Sequence, residues 1–106
     1  MKKKAMVSQP MAGKTDAEVV GAREKAVAEL EGMGYEVVPS LFAFTDEVLD
    51  ALEVKNASLY LLASSIQAMS RCNSVYFAEG WEAARGCRIE HDAAVAYGLE
   101  VLYEDQ

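Results

Sequence analysis

The chain contains one histidine, two cysteines, two prolines and one tryptophan, and each shortage removes a class of chemistry. A lone histidine, His91, cannot build a histidine-based metal centre, and Cys72 and Cys87 fit no metal-ligand spacing. No metal and no cofactor are therefore expected, and a reducing compartment would keep both cysteines as thiols. Long hydrophobic runs are missing too. Leu59 to Ala63, the longest strongly apolar stretch, falls far short of the roughly 20 residues that cross a bilayer. The basic start Met1-Lys2-Lys3-Lys4 meets Gln9, Lys14, Asp16 and Glu18 before any signal-peptide core develops, so a cytoplasmic protein with no membrane partner is expected. Cations are scarce: 10 Lys and Arg stand against 17 Asp and Glu, a formal charge of −7. Nucleic-acid affinity rests mainly on Lys and Arg neutralising phosphates, so no nucleic-acid partner is expected. A small anion is a different case, since one helix N-terminus with one or two cations can hold it.

What remains is a globular composition, 52% hydrophobic and 25% charged over 106 residues, enough for one core. Residues 1–106 are read as a single domain. Lys4 to Ser8 is a short apolar strand, broken at Gln9-Pro10 because proline lacks a ladder donor. Thr15-Asp16-Ala17-Glu18 matches a capping box. The helix it opens carries Val19, Ala22, Ala26, Val27, Leu30 and Met33 on one stripe, and Gly34 ends it. Tyr35 to Val38 is a second strand. The apolar loop Leu41–Phe44 follows, then a short helix over 46–54 capped by Thr45 or Asp46. A helix over Ala57 to Arg71 puts Leu59, Leu62, Ile66 and Met69 on its core face. Its apolar sector is wider than one sheet face needs, which suits either deep burial or a homodimer interface. Val75 to Phe77 is a buried strand. A helix starting between Glu82 and Gly86 closes at Gly98, and Leu99 to Tyr103 is the last strand.

Helix–glycine–strand joints mark repeated α/β units. Right-handed crossovers then give a Rossmann-like, flavodoxin-like three-layer α/β sandwich with a four-stranded parallel sheet in order 2-1-3-4. The switch point sets the turn after Ser8 beside the turn after Phe77. Ligands bind at such crevices, so these two turns are expected to share a cavity with Glu90 at its floor.

Several residues there could carry chemistry. Glu90, near the start of its helix, can attack an electrophilic sugar carbon, or it can be an ordinary first-turn glutamate favoured by the helix dipole. Gly13-Lys14-Thr15 resembles the end of a phosphate-binding loop, but Ser8 occupies the position of the upstream glycine, so an NTPase is not expected. Amides near Lys14 and Thr15 can hold an anion, or the capping box alone explains Thr15. Arg85 either binds an anion or neutralises Glu79, Glu82, Glu90 and Asp92. Trp81 and Tyr76 offer rings to a planar base or belong to core and rim. His91 is a proton carrier or a helix-surface residue, and Cys87 reads as packing.

Taken together, Ser8-Gln9-Pro10-Met11, Gly13-Lys14-Thr15 and Gly80-Trp81-Glu82-x-Ala84-Arg85-Gly86-Cys87-x-Ile89-Glu90-His91 resemble a short, uncharacterised branch of the nucleoside 2-deoxyribosyltransferase superfamily. The resemblance covers nearly the whole chain and implies a Rossmann-like sheet. It also implies a glutamate, in the helix after the third strand, that attacks the anomeric carbon and displaces the base. Glu90, followed by Ala93, Ala94 and Gly98, matches that position. The chain departs from the transferases at Ser65, Asn73, Ala84 or Ala83, and Met6, where their acidic, hydroxyl and tyrosine partners stand. Three functions compete. The first is an N-glycosidic-bond hydrolase or base-exchange enzyme acting on a nucleoside or nucleotide. In it Glu90 is the nucleophile, and Glu79, His91 or Asp92 is the acid/base. Ser8, Gln9, Pro10, Gly13, Lys14, Thr15, Gly80, Trp81, Arg85 and Gly86 bind substrate. The second is a non-catalytic nucleotide-binding module. The third is a scaffold using the Leu59–Met69 helix and the Leu41–Phe44 loop. Related sites are often completed by a neighbouring subunit, so a homodimer or higher homo-oligomer is expected.

Overall fold

The computed structural model describes residues 1–40 and 44–104. Four strands, β1 (Lys4–Ser8), β2 (Glu36–Val37), β3 (Ser74–Phe77) and β4 (Glu100–Tyr103), form one all-parallel sheet in the order β2-β1-β3-β4. The helices are α1 (Asp16–Gly32), α2 (Asp46–Ala51), α3 (Ala57–Met69) and α4 (Arg85–Ala96). A 3-10 turn, Trp81–Ala83, leads into α4. The α/β sandwich and strand order expected from the sequence are therefore present. Of the Leu41–Phe44 loop, all but Phe44 lies outside the described residues.

The sheet divides the core by strand alternation. Ala5, Val7, Tyr76 and Ala78 pack with Ala26 and Leu30 of α1 on one face. Met6, Val75 and Phe77 pack with Ala68 and Met69 of α3 and Ala94 of α4 on the other. β1 and β3, buried on both faces, read as uninterrupted apolar runs for that reason. The capping box at α1 is formed, with Glu18 N donating to Thr15 Oγ1 (3.1 Å) and Thr15 N to Glu18 Oε1 (3.0 Å). Gly34 follows the C-cap in the left-handed region (φ 92°), and Tyr35 N returns to Leu30 O at 3.0 Å. At the amino edge, Glu100 accepts from Ser74 Oγ (2.6 Å) and from the Tyr35 hydroxyl, tying the outer strand to the sheet.

Three sequence expectations are corrected. Met33 is 54% exposed, because α1 ends at Gly32 and Met33 is the cap where the chain turns away. Leu59 is 59% exposed, because the first turn of α3 carries it clear of the sheet; Ala68 and Met69, at the other end, are the buried pair. The second strand shortens to two residues, although Val38 remains in the core.

Candidate functional site

The two turns at the carboxyl edge meet as the strand order requires. After Ser8, the Gln9 side chain donates from Nε2 to Val19 O at 2.9 Å, tying the turn to α1. Lys14 N closes onto Met11 O at 3.2 Å, and Gly13 supplies the left-handed conformation this turn needs (φ 77°). After Phe77, Ala78 N extends the ladder to Ser8 O (2.9 Å), and Gly80 (φ 88°) directs the chain into Trp81. A Cβ placed on Gly80 would lie 3.5 Å from Pro10 Cγ, so the turns are in contact. Between them runs an open cleft of about 500 Å³, lined among others by Pro10, Lys14, Glu18, Ala78, Glu79 and Gly80. Its wall is fixed by the Lys25–Glu104 ion pair (3.0 Å) and by Glu79 N donating to Glu104 Oε1 (3.1 Å).

Glu90 does not line this cleft. The cleft lies on the α1 face, whereas α4 turns Cys87, Glu90 and Ala94 toward the opposite face of the sheet. The expected cavity is thus split by the sheet. Strand alternation sends Ser8 to the α4 face along with Met6, and there it joins Glu90 and Cys87. Ser8 is 2% exposed and Glu90 8%, yet Ser8 Oγ and Glu90 Oε2 both lack a hydrogen-bond partner. Removal from water pushes the Glu90 carboxyl from its ordinary 4.5 to about 7, against a smaller downward pull from the Ser8 hydroxyl. The Ser8 hydroxyl thus lies near enough to favour the charged form of Glu90, although its geometry falls short of a normal hydrogen bond. Burial also pushes the Cys87 thiol up, opposed by Ser8 and reinforced by the Glu90 charge. A buried carboxyl oxygen without a donor is costly, and a carboxyl perturbed in this way is a candidate functional group.

Above this trio the chain builds an aromatic cluster. Trp81 stacks on His91 (centroids 4.3 Å, 19°) and on Tyr103 (5.7 Å, 29°), with Phe77 beneath at 5.3 Å from Trp81. His91 Nε2 lies 2.6 Å from Tyr103 Oη. His91 is therefore half-buried and fixed by its neighbours, and Trp81 is a wall of the α4 side. Arg85 and Gly86 occupy the first turn of α4, which Ala84 leaves without a side-chain cap. Asp92 points to solvent, and Arg88 Nη1 closes onto Glu82 O at 3.0 Å. The structure thus brings Ser8, Glu90, His91, Trp81 and Gly86 to one face, and Pro10, Lys14, Glu79 and Gly80 to the other side of the same edge. Tyr103, Glu104 and the contribution of Cys87 were not foreseen. The four-residue final strand contains the first of these, but no local pattern marks its partner.

Among the described residues, no group of three His, Cys, Asp or Glu side chains is placed to hold a metal ion, and no helix is long and apolar enough to cross a membrane. Residues 3–103 match the family described as a domain of unknown function, DUF4406. No curated protein and no solved structure matches the chain.

Proposed function

This chain belongs to the DUF4406 family of domains of unknown function, and we propose, from its resemblance to the nucleoside 2-deoxyribosyltransferases and from the setting of Glu90, that it cleaves the N-glycosidic bond of a cytoplasmic nucleoside or nucleoside monophosphate. The observation that carries this reading is the buried Glu90 carboxyl, whose Oε2 has no hydrogen-bond partner, at the carboxyl edge of the sheet. Poor solvation leaves an oxygen of the ionised form available to an electrophile, and a pKa of about 7 keeps ionised and protonated forms both populated near neutrality. In the proposed step, a Glu90 oxygen bonds to the anomeric carbon as the carbon–nitrogen bond breaks. The electron pair leaves on the base nitrogen, which takes a proton from the enzyme. Water or an acceptor base then displaces the glycosyl ester and restores the carboxylate. His91 is the candidate acid. Tyr103 engages Nε2, so Nδ1 is the ring nitrogen left for the departing base. Lys14 and Glu79 line the α1-side cleft, across the sheet from Glu90, and take no part in this step.

A second reading, binding of the same ligand class without turnover, is favoured by one observation. Asn73, which stands where the transferases carry an acid, uses Oδ1 to accept from Lys4 N (2.8 Å) at the amino edge, far from Glu90 in the fold. Incubation with deoxynucleosides, ribonucleosides and their monophosphates, followed by chromatography, separates the readings. Free base released by the wild type and abolished in Glu90→Gln supports the enzyme. Thermal stabilisation without release supports the binding module. Equal background release by both proteins, with no stabilisation, removes both.

A further inference from the structure

Two serines and one glutamate are buried among the described residues: Ser8, Ser74 and Glu90. Ser74 is satisfied, since its hydroxyl donates to Glu100 at 2.6 Å. The other two are not. Ser8 Oγ and Glu90 Oε2 are the buried side-chain oxygens without a partner among the described residues, and they belong to groups that meet on the α4 face. Ser8 closes a strand otherwise buried as Ala5, Met6 and Val7. Its hydroxyl caps no helix and closes no turn, and its place in the sheet is held by backbone, Ser8 O accepting from Ala78 N at 2.9 Å. An alanine there would keep that bond and remove an unsolvated hydroxyl, so the fold gains nothing from the oxygen.

Two acceptors lie within its influence. Cys87 and Glu90, three residues apart on α4, share its buried face, and the Ser8 hydroxyl acts on both side chains. A serine hydroxyl has one proton and donates to one of them at a time. Burial keeps Cys87 a thiol, which is a weak acceptor. An ionised carboxylate is a much stronger one, because the bond it accepts is charge-assisted. Ionisation of Glu90 therefore draws the Ser8 proton to it. No cation shares this role. Of the elements packed on α4, the 3-10 turn brings the exposed Glu82, and α3 brings Tyr60, which lies against Phe44. β3 brings Tyr76, which packs on the α1 face. β4 brings Glu100, bonded to Ser74 and Tyr35 at the amino edge, and Tyr103, which engages His91. On α4 itself Arg85, Arg88 and Asp92 are exposed. Burial and the Ser8 hydroxyl are what act on the Glu90 carboxyl.

We propose that Ser8 is the positioning residue of Glu90: its hydroxyl donates to Oε2 of the ionised carboxylate and leaves Oε1 to meet the anomeric carbon. The placement stands on the two buried groups alone. Its catalytic consequence rests on the reading of Glu90 as nucleophile.

Carbon-13 titration of the Glu90 carboxyl in the full chain, without substrate, tests the placement. In Ser8→Ala the midpoint should rise above that of the wild type by about half a pH unit or more, threefold in the ionisation equilibrium. Cys87→Ala, which disturbs packing at the same spot but keeps the hydroxyl, should not raise it. Linkage supplies a second readout. A higher folded pKa removes more stability as pH rises, so the urea midpoint of Ser8→Ala, relative to wild type, should be lower at pH 8 than at pH 4.5. A serine needed only for packing would shift both alike. Where base is released, Ser8→Ala should lower kcat near neutrality with little change in KM, and move the rising limb of the pH profile up with the midpoint. A Glu90 midpoint in Ser8→Ala at or below the wild-type value overturns the proposal, as does a rise of equal size in Cys87→Ala. A wild type that releases no base from any nucleoside or nucleotide overturns the catalytic consequence, and the titration still decides the placement.

Discussion

At the scale of the residue, Glu90 couples stability to pH. Its folded carboxyl holds a proton up to about pH 7, whereas the unfolded one releases it near 4.5. Between those values the folded chain binds more protons, so stability falls as pH rises through the window and levels off above it. The fall amounts to about 3 kcal/mol at most, from the 1.4 kcal/mol that accompanies each pH unit of difference. Urea unfolding of Glu90→Gln should lose this slope, leaving the variant more stable than wild type at pH 8 and similar at pH 4.5. A wild-type midpoint that is flat between pH 5 and 7 would contradict the burial of this carboxyl. The two thiols give an independent check. Cys72 and Cys87 are both buried with pKa pushed up by that burial, so neither should react with a thiol reagent at pH 8 until the protein unfolds. Glu90 was legible as a candidate from its place near a helix start. Its burial was not, because the inward direction of a helical residue depends on where the helix begins. Ala84 supplies no side-chain cap to announce that start.

Elements differ in how much of the fold they hold. Thr15→Ala removes the hydroxyl acceptor of Glu18 N, leaving only the backbone half of the α1 capping box, and should lower global stability by about 1 kcal/mol. Thr45 caps α2 in a similar way, donated to by Val48 N at 3.2 Å, but α2 buries nothing. Thr45→Ala should therefore increase amide exchange within α2 and leave the global urea midpoint in place. Leu30, fully buried under α1, lies at the other extreme: Leu30→Ala should cost about 2 to 5 kcal/mol, a large part of the stability of a domain this size. Periodicity recovered the elements where packing imposes it, as in β1, found at Lys4–Ser8. It overran at helix ends, where Met33 and Leu59 keep the spacing of a core stripe after the sheet beneath has ended. The turn Trp81–Ala83 is too short to carry a period at all.

For the whole molecule, strand order followed from handedness and from the alternation of helix and strand, which is why 2-1-3-4 could be read from sequence. The same order brought the turns after β1 and β3 together, so that a side chain at Gly80 would meet Pro10. The division of candidate residues between the two faces was not readable. It depends on the parity of Ser8 in β1 and on the phase of α4, and neither leaves a mark in composition. The outcome is a carboxyl edge with two unlike sides: an open cleft against α1 with Lys14, Glu18 and Glu79 in its lining, and a buried acid with an aromatic wall against α4. The most direct test of this arrangement is a carbon-13 NMR titration of the Glu90 side-chain carboxyl, assigned by comparison with Glu90→Gln. A midpoint of about 7, displaced when a deoxynucleoside monophosphate saturates the protein, is the predicted result. A midpoint near 4.5 that no nucleoside or nucleotide moves would contradict it.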